Sequence, residues 1–393
     1  MVTSGVDTET FAQIQEAVRR FTMERLIPAE REVEETDTVP AAIVQEMKDL
    51  GLFGLSIPQE FGGVGLSLSQ EVAVIAEVAQ AALAFRSVFG TNVGIGSQGI
   101  VIDGTDEQKA EWLPKLATGE ATASFALTEP DAGSDAGGLR TRAVRDGDTY
   151  VINGAKRYIT NSDSATILCL MARTDPDRKG AAGISAFIIP TDTPGITIGK
   201  PDKKMGQRGT RTCDITLADV RVPAANMIGG DALVNQGFKT AMKVLDRGRI
   251  HMSALAIGQS RRAINEALAY AADRKQFGQE IANFQLVQAL LADSQAELYA
   301  SECMANDAAA RFDRGEAIPQ QAACAKMFAT EACGRIADRA VQIFGGAGYM
   351  VEYPVERIYR DVRLMRIYEG TTQIQQLIIA KQMLKRQAAG EKL

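Results

Sequence analysis

The sequence predicts an α+β chain in three regions: an N-terminal helical domain (residues 1–122), a central β-domain (123–230) and a C-terminal four-helix bundle (231–393). Three observations carry that division. Apolar residues recur at helical spacing in the first region. Short β-branched runs with Asp-Gly and Asn-Gly turn signals fill the second, and long helix-period stretches return after Asn235.

Phe11, Ile14, Val18 and Phe21 mark a first helix, which Pro28 is expected to stop. Residues 72–85 (VAVIAEVAQAALAF) read as one largely buried helix, and IPQEFGGVGL before them as a glycine-rich connection. Thr105 and Gln108 fit a capping box opening the helix around Trp112. In the middle region Asp146-Gly147 and Asn153-Gly154 both signal hairpin turns. The runs ATILCLMAR, ISAFIIP, GITIG and CDITLADVRVP read as strands. Helices over 236–272, 284–312, 319–343 and 372–386, joined by short connections, predict an antiparallel bundle.

Composition narrows the chemistry. The 393 residues carry 43 Lys and Arg against 49 Asp and Glu, a net charge of −6 with no basic block, so a nucleic-acid footprint is not expected. No stretch approaches the ~18 consecutive apolar residues of a membrane span. The start, MVTSGVDTET, lacks the basic and apolar regions of a signal peptide, so an intracellular protein is expected. His251 is the single histidine, which excludes multi-histidine metal sites. Five cysteines without a C-x-x-C pair (Cys169, Cys213, Cys303, Cys324 and Cys333) indicate neither a zinc ribbon nor a disulfide framework. If the chain is an enzyme, its difficult chemistry is expected to belong to an organic cofactor.

Several motifs read two ways. GIGSQG (94–99) matches G-x-G-x-x-G, but a helix precedes and follows it, so it is taken as a glycine-rich helix junction and not a dinucleotide turn. FALTEPDAGSD (125–135) offers hydroxyls and backbone N–H groups to a ring or phosphate, or is a loop of turn formers. DRKQFG (273–278) places Arg274 for an oxyanion, or is an exposed inter-helix loop. QIFGGAGY (342–349) allows close approach at Gly345 and Gly346, or is a helix C-cap. In IYEGTTQIQ (367–375), Thr372 and Gln375 fit a capping box, leaving Glu369 just outside a helix N-terminus. There it is either a carboxylate favoured by the helix dipole or a general base on a loop.

Taken together, TEPDAGSD, YITNS, DRKQFG, QIFGGAGY and YEGTTQIQ closely resemble the acyl-CoA dehydrogenase family in order and spacing. IPQEFGGVGL, WLPKLATGE and MGQRGTRTCDITLADVRVP are similar as well, so the likeness spans nearly the whole chain. The resemblance implies the family fold: helical domain, central β-barrel or sandwich, four-helix bundle. It implies FAD as cofactor, Glu369 as the base that removes the α-proton of an acyl-CoA thioester, and hydride transfer to flavin N5. Phe125, Leu127, Thr128, Ser134, Tyr158 and Thr160 match flavin-side positions. Arg274, Gln276, Phe277, Gln285, Gln342, Gly345, Gly346, Thr371 and Gln373 match the remaining cofactor contacts. Ser134, Asp246, Arg249, Tyr368 and Gly370 match positions along the substrate path.

Some relatives take their base from the position before the arginine that matches Arg249, but Gly248 stands there and has no side chain to act. Arg86, in AFRSVFGTN, resembles an arginine of glutaryl-CoA dehydrogenases that holds a distal carboxylate; the alternatives are an arginine paired with a local acid or facing solvent. The resemblance further implies an electron-transferring flavoprotein as partner, a homotetramer, and a cytoplasmic location in a bacterium or the mitochondrial matrix for a processed eukaryotic chain. Competing readings are a dicarboxylyl-CoA dehydrogenase, an oxidase or desulfinase on the same fold, and a flavin-bearing scaffold with vestigial activity. No role is expected for His251 beyond packing.

Overall fold

The structure, a computed structural model, describes residues 5–391. Seven helices come first: α1 (Thr8–Phe21), α2 (Ile27–Thr36), α3 (Ala41–Asp49), α4 (Leu68–Val78), α5 (Leu83–Val93), α6 (Gln98–Asp103) and α7 (Asp106–Thr118). The strands are β1 (Ala123–Ala126), β2 (Arg142–Asp146), β3 (Thr149–Thr160), β4 (Ile167–Arg173), β5 (Ile184–Pro190), β6 (Ile196–Ile198) and β7 (Thr212–Pro223). Then follow α8 (Gly237–Asp273), a two-stranded corner of β8 (Lys275–Gln276) and β9 (Gln279–Glu280), α9 (Gln285–Asp313), α10 (Pro319–Phe344), α11 (Pro354–Val362) and α12 (Thr372–Ala388).

The sheet runs β1-β4-β2-β3-β7-β6, with β5 antiparallel to β4. β1 lies parallel to β4, so the chain reaches the sheet from α7 and sends the β1 C-terminal end toward the 127–135 loop. One apolar cluster fills the sheet (Ile152, Leu170, Phe187, Ile215). Another joins α4 to the C-terminal helices through Ile75, Ile257, Ala329 and Ile336. The small residues along α10, among them Ala322, Ala325, Ala329 and Ala337, let α8 and α9 approach it closely.

Four local expectations change. Pro28 does not stop the helical run: a π-helical turn (Thr22–Leu26) precedes it, and it sits in the first turn of α2, where its missing N–H is harmless. Residues 72–85 are two helices, since the chain breaks after Val78 and restarts at Leu83. The carbonyls freed at that break are taken up from α8, where Gln259 donates to Ala79 (2.6 Å) and Ala81 (2.8 Å). Asn153-Gly154 is a bulge inside β3, not a turn: the Asn153 amide bonds Asp219 on β7, and a Cβ at 154 would strike Thr141. Asp146-Gly147 does make the β2–β3 turn, Gly147 taking φ +61°. Finally, α11, a strongly amphipathic helix behind Pro354, was hidden in the connection after QIFGGAGY.

Candidate active site

Glu369 stands at a sharp corner. Its φ is +53° and that of Gly370 is +85°, so two successive residues are left-handed before α12 begins. The helix cap is Thr371, whose hydroxyl accepts from Ile374 N–H (3.2 Å). The cap therefore falls one residue before the expected Thr372, and Thr372 instead donates to Glu331 (2.6 Å). The Gln375 side-chain amide reaches back to the carbonyls of Glu369 (3.2 Å) and Gly370 (2.9 Å). From α10, Lys326, with no exposed surface, donates its Nζ to the same Gly370 carbonyl at 2.8 Å.

The Glu369 carboxylate lies over Gly248 of α8, where a Cβ would collide with Oε2. That oxygen is withdrawn from solvent and has no hydrogen-bond partner. Among the described residues, the Glu369 N–H meets no acceptor either. Burial raises the carboxyl pKa above its ordinary value, while the charges of Arg86, Lys326 and Arg249 oppose the rise.

Arg249 on α8 pairs with Asp246 one turn earlier and leaves its own Nε unpartnered. Burial lowers the Arg249 pKa and raises that of Asp246. Tyr368 is pushed up to about 12 by burial, and its hydroxyl takes a long bond from Gln207 (3.5 Å).

Beyond Arg249, α4, α5 and α8 enclose a charged cluster. Arg86 neither faces solvent nor pairs with an acid: it is 9% exposed, and its Nη2 meets His251 Nδ1 at 3.4 Å. His251 Nε2 meets Glu71 at 3.0 Å. Because an arginine only donates and a carboxylate only accepts, this arrangement requires the Nε2–H tautomer of His251. Glu71 also pairs with Arg247, which donates to the Val93 carbonyl at 3.2 Å. Burial pushes Glu71 up to about 7 against the pull of Arg247, and it holds His251 neutral. His251 thus has a defined place between Glu71 and Arg86, where sequence reading assigned none.

The flavin-side positions gather at the end of β1 and β3. Phe125 lies on β1, Leu127 is buried, and the Thr128 carbonyl accepts from Arg157 N–H (2.9 Å). Tyr158 is 57% exposed with φ +58°, Thr160 closes β3, and Ser134 is exposed on the loop. A buried ion pair fixes this edge: Lys156 Nζ bonds Glu129 (2.8 Å) and the Leu127 carbonyl (3.2 Å), while Glu129 accepts the N–H groups of Arg140 and Thr141. Sequence reading missed Lys156 and Glu129, as it missed Lys326 and Glu71.

The positions that match the remaining cofactor contacts fall in two places, the α8–α9 corner with the end of α10, and the start of α12. Arg274, Gln276 and Phe277 occupy the exposed α8–α9 corner, Phe277 being 93% exposed, with Gln285 opening α9. Gln342, Gly345 and Gly346 end α10, which packs on that corner through stacked Tyr270 and Phe344 rings (4.1 Å). A Cβ at Gly345 or Gly346 would meet nothing within 4 Å, so the backbone there is open to a ligand. Thr371 is occupied as the α12 cap and Gln373 is exposed on its first turn.

Fold and site together define an oxidoreductase that works through an organic cofactor. The acyl-CoA dehydrogenase N-terminal domain matches residues 8–120, the middle domain 124–220 and the C-terminal domain 235–384. The chain belongs to the acyl-CoA dehydrogenase family. It is 44% identical over 378 residues to a Bacillus subtilis protein named "Probable acyl-CoA dehydrogenase YngJ", covering 96% of this chain and 99% of that one. It is 40% identical over 379 residues to a 3-(aryl)acrylate reductase of Clostridium sporogenes, with the same coverage. Its structure resembles butyryl-CoA dehydrogenase from Megasphaera elsdenii with a TM-score of 0.91 at 35% identity, over 96% of this chain and 99% of that chain.

Proteins of this family bind FAD, and the residues present suit it. An exposed guanidinium and bare glycine backbone match a pyrophosphate, an exposed ring matches a base, and the β1–β3 edge carries hydroxyls for the polar rim of a flavin.

Proposed function

We propose that this protein oxidises the α,β bond of an acyl-CoA thioester to the trans-2-enoyl-CoA, with Glu369 as the base. The observation that carries this reading is Glu369 Oε2, buried without a hydrogen-bond partner, on its left-handed corner. FAD supplies the acceptor for the β-hydride. The α-carbon of a thioester is a weak acid, so its carbonyl needs a donor as negative charge develops, and the unsatisfied Glu369 N–H is suited to that role. Burial of Glu369 raises its basicity toward the working range. Leu127, Thr128, Tyr158 and Thr160 hold the flavin, Arg274 and Gly345-Gly346 the pyrophosphate, and Asp246, Arg249 and Ser134 the CoA side. Electrons leave to an electron-transferring flavoprotein. Exposed apolar side chains at Leu286, Tyr349, Val351, Leu377 and Leu384 support assembly into a homotetramer, here placed in the cytoplasm. Among the described residues no helix is long and apolar enough to cross a membrane.

A second reading, for a dicarboxylyl thioester, is favoured by Arg86. It is a buried guanidinium with an unpartnered Nε, and its charge acts on Glu369. An anaerobic titration with butyryl-, isobutyryl-, octanoyl-, glutaryl- and succinyl-CoA, followed at the visible flavin band, tests both. Bleaching by the monocarboxylic esters supports the first reading. Bleaching confined to the dicarboxylyl esters, and lost in Arg86→Met, makes Arg86 the specificity residue. No bleaching by any ester overturns dehydrogenation.

Gly248 gives a further check. In Gly248→Ala the added methyl displaces the Glu369 carboxylate. Flavin reduction in rapid mixing is expected to slow about 100-fold, the effect of a misplacement near 1 Å, with FAD still bound. An unchanged rate would mean that the carboxylate does not work from the place it occupies over α8.

A further inference from the structure

The Glu369–Gly370 corner is a poor conformation to hold in place. Glu369 has a Cβ and a positive φ, a combination that persists only where its surroundings enforce it. A lysine buried in the heart of a helical domain is likewise out of place unless something needs its charge. The two anomalies touch. Lys326 rises from a buried face of α10 lined by Ala322, Ala323, Ala329 and Thr330, and donates to the Gly370 carbonyl at 2.8 Å.

We propose that Lys326 is a positioning residue for the base: its ammonium clamps the left-handed corner from α10 and keeps the Glu369 carboxylate aimed across Gly248. The proposal rests on the reading of Glu369 as the base. Gln375 shares the Gly370 carbonyl and also bonds that of Glu369 from α12, but as a neutral amide it supplies geometry without charge. Lys326 supplies both. The charged groups acting on Glu369 are Arg86 from α5, Arg249 from α8 and Lys326 from α10, with Tyr368 beside it in sequence. Those acting on Lys326 are Glu369, Arg249 and Glu331. Burial brings Lys326 down to about 8, and Glu369 is the first of the charges that hold it up. Lysine and glutamate therefore stabilise each other's charged form, and removing either must move the other.

The test uses the FAD-loaded enzyme in two reciprocal measurements. In Lys326→Met, which keeps length and loses donor and charge, 13C NMR of carboxyl-labelled glutamate is read, with the Glu369 signal assigned by its loss in Glu369→Gln. The Glu369 midpoint should rise by ~1 unit, and the rising limb of flavin reduction against pH should move up by the same amount. Lys326→Arg, which keeps donor and charge, should return the midpoint toward wild type. In Glu369→Gln, whose amide is isosteric with the carboxylate, the Lys326 ammonium followed by 13C-labelled lysine should titrate lower than in the wild type. That second measurement stands even if Lys326→Met fails to fold. An unmoved Lys326 in Glu369→Gln, or an unmoved Glu369 midpoint and pH limb in a folded Lys326→Met, overturns the proposal. Failure of the underlying reading looks different, because Glu369→Gln would then still reduce its flavin whatever Lys326 does.

Discussion

Glu369→Gln is expected to bind FAD as the wild type does and to lose flavin reduction by substrate by ~10³-fold, within the range for removing a general base. The amide fills the same space over Gly248, so packing is kept while the proton acceptor is gone. The pH profile should change in kind. In the wild type, reduction needs the ionised carboxylate, so the rate rises with pH through a midpoint that burial has raised above 4.5. In the variant that limb should vanish and a small residual rate run flat. Anaerobic rapid mixing with a bleaching thioester, from acid to neutral pH, checks both features. A residual rate within tenfold of wild type would mean that another group takes the proton, and Gly248 cannot be that group.

Much of this site was legible because it lies in contiguous motifs. YEGTTQIQ carried Glu369 together with its cap, although the cap moved by one residue to Thr371 once the left-handed corner was in place. The helix periods of the C-terminal region placed α8, α9, α10 and α12 to within two residues. What stayed hidden is charge inside helices. Little in the sequence marks Glu71, Lys326 and Arg247 as buried, because burial of a charge depends on partners from distant elements. Lys326 did leave a trace: it falls on the alanine stripe of α10, where a solvated lysine would not be expected. Glu71 left less, since His251 and Arg247 lie some 180 residues further along the chain. The misread segments share one cause. Pro28, the 72–85 run and Asn153-Gly154 were judged on local propensity, and a π-helical turn, Gln259 and the Asn153–Asp219 bonds overruled it.

The second large effect concerns stability and comes from the same hidden charges. Removing Arg247 as Arg247→Met leaves Glu71 fully buried without its guanidinium, and breaking such a pair costs roughly 3–5 kcal/mol. The loss should depend on pH. Glu71 in the fold already sits near 7, and without Arg247 it rises further, against 4.5 for the free carboxyl. A carboxyl whose folded pKa is raised binds its proton more tightly in the fold, so the stability associated with it is lost as pH rises through the folded value. The deficit of Arg247→Met against wild type should therefore be small at pH 6, where Glu71 is protonated, and grow toward pH 8.5. Adding Glu71→Gln should remove most of the pH dependence and part of the loss, since the amide can still accept from His251 Nε2–H. Thermal melts of the three proteins at both pH values check this. An equal deficit at pH 6 and 8.5 would place the cost in lost packing of the Arg247 side chain rather than in the stranded carboxylate.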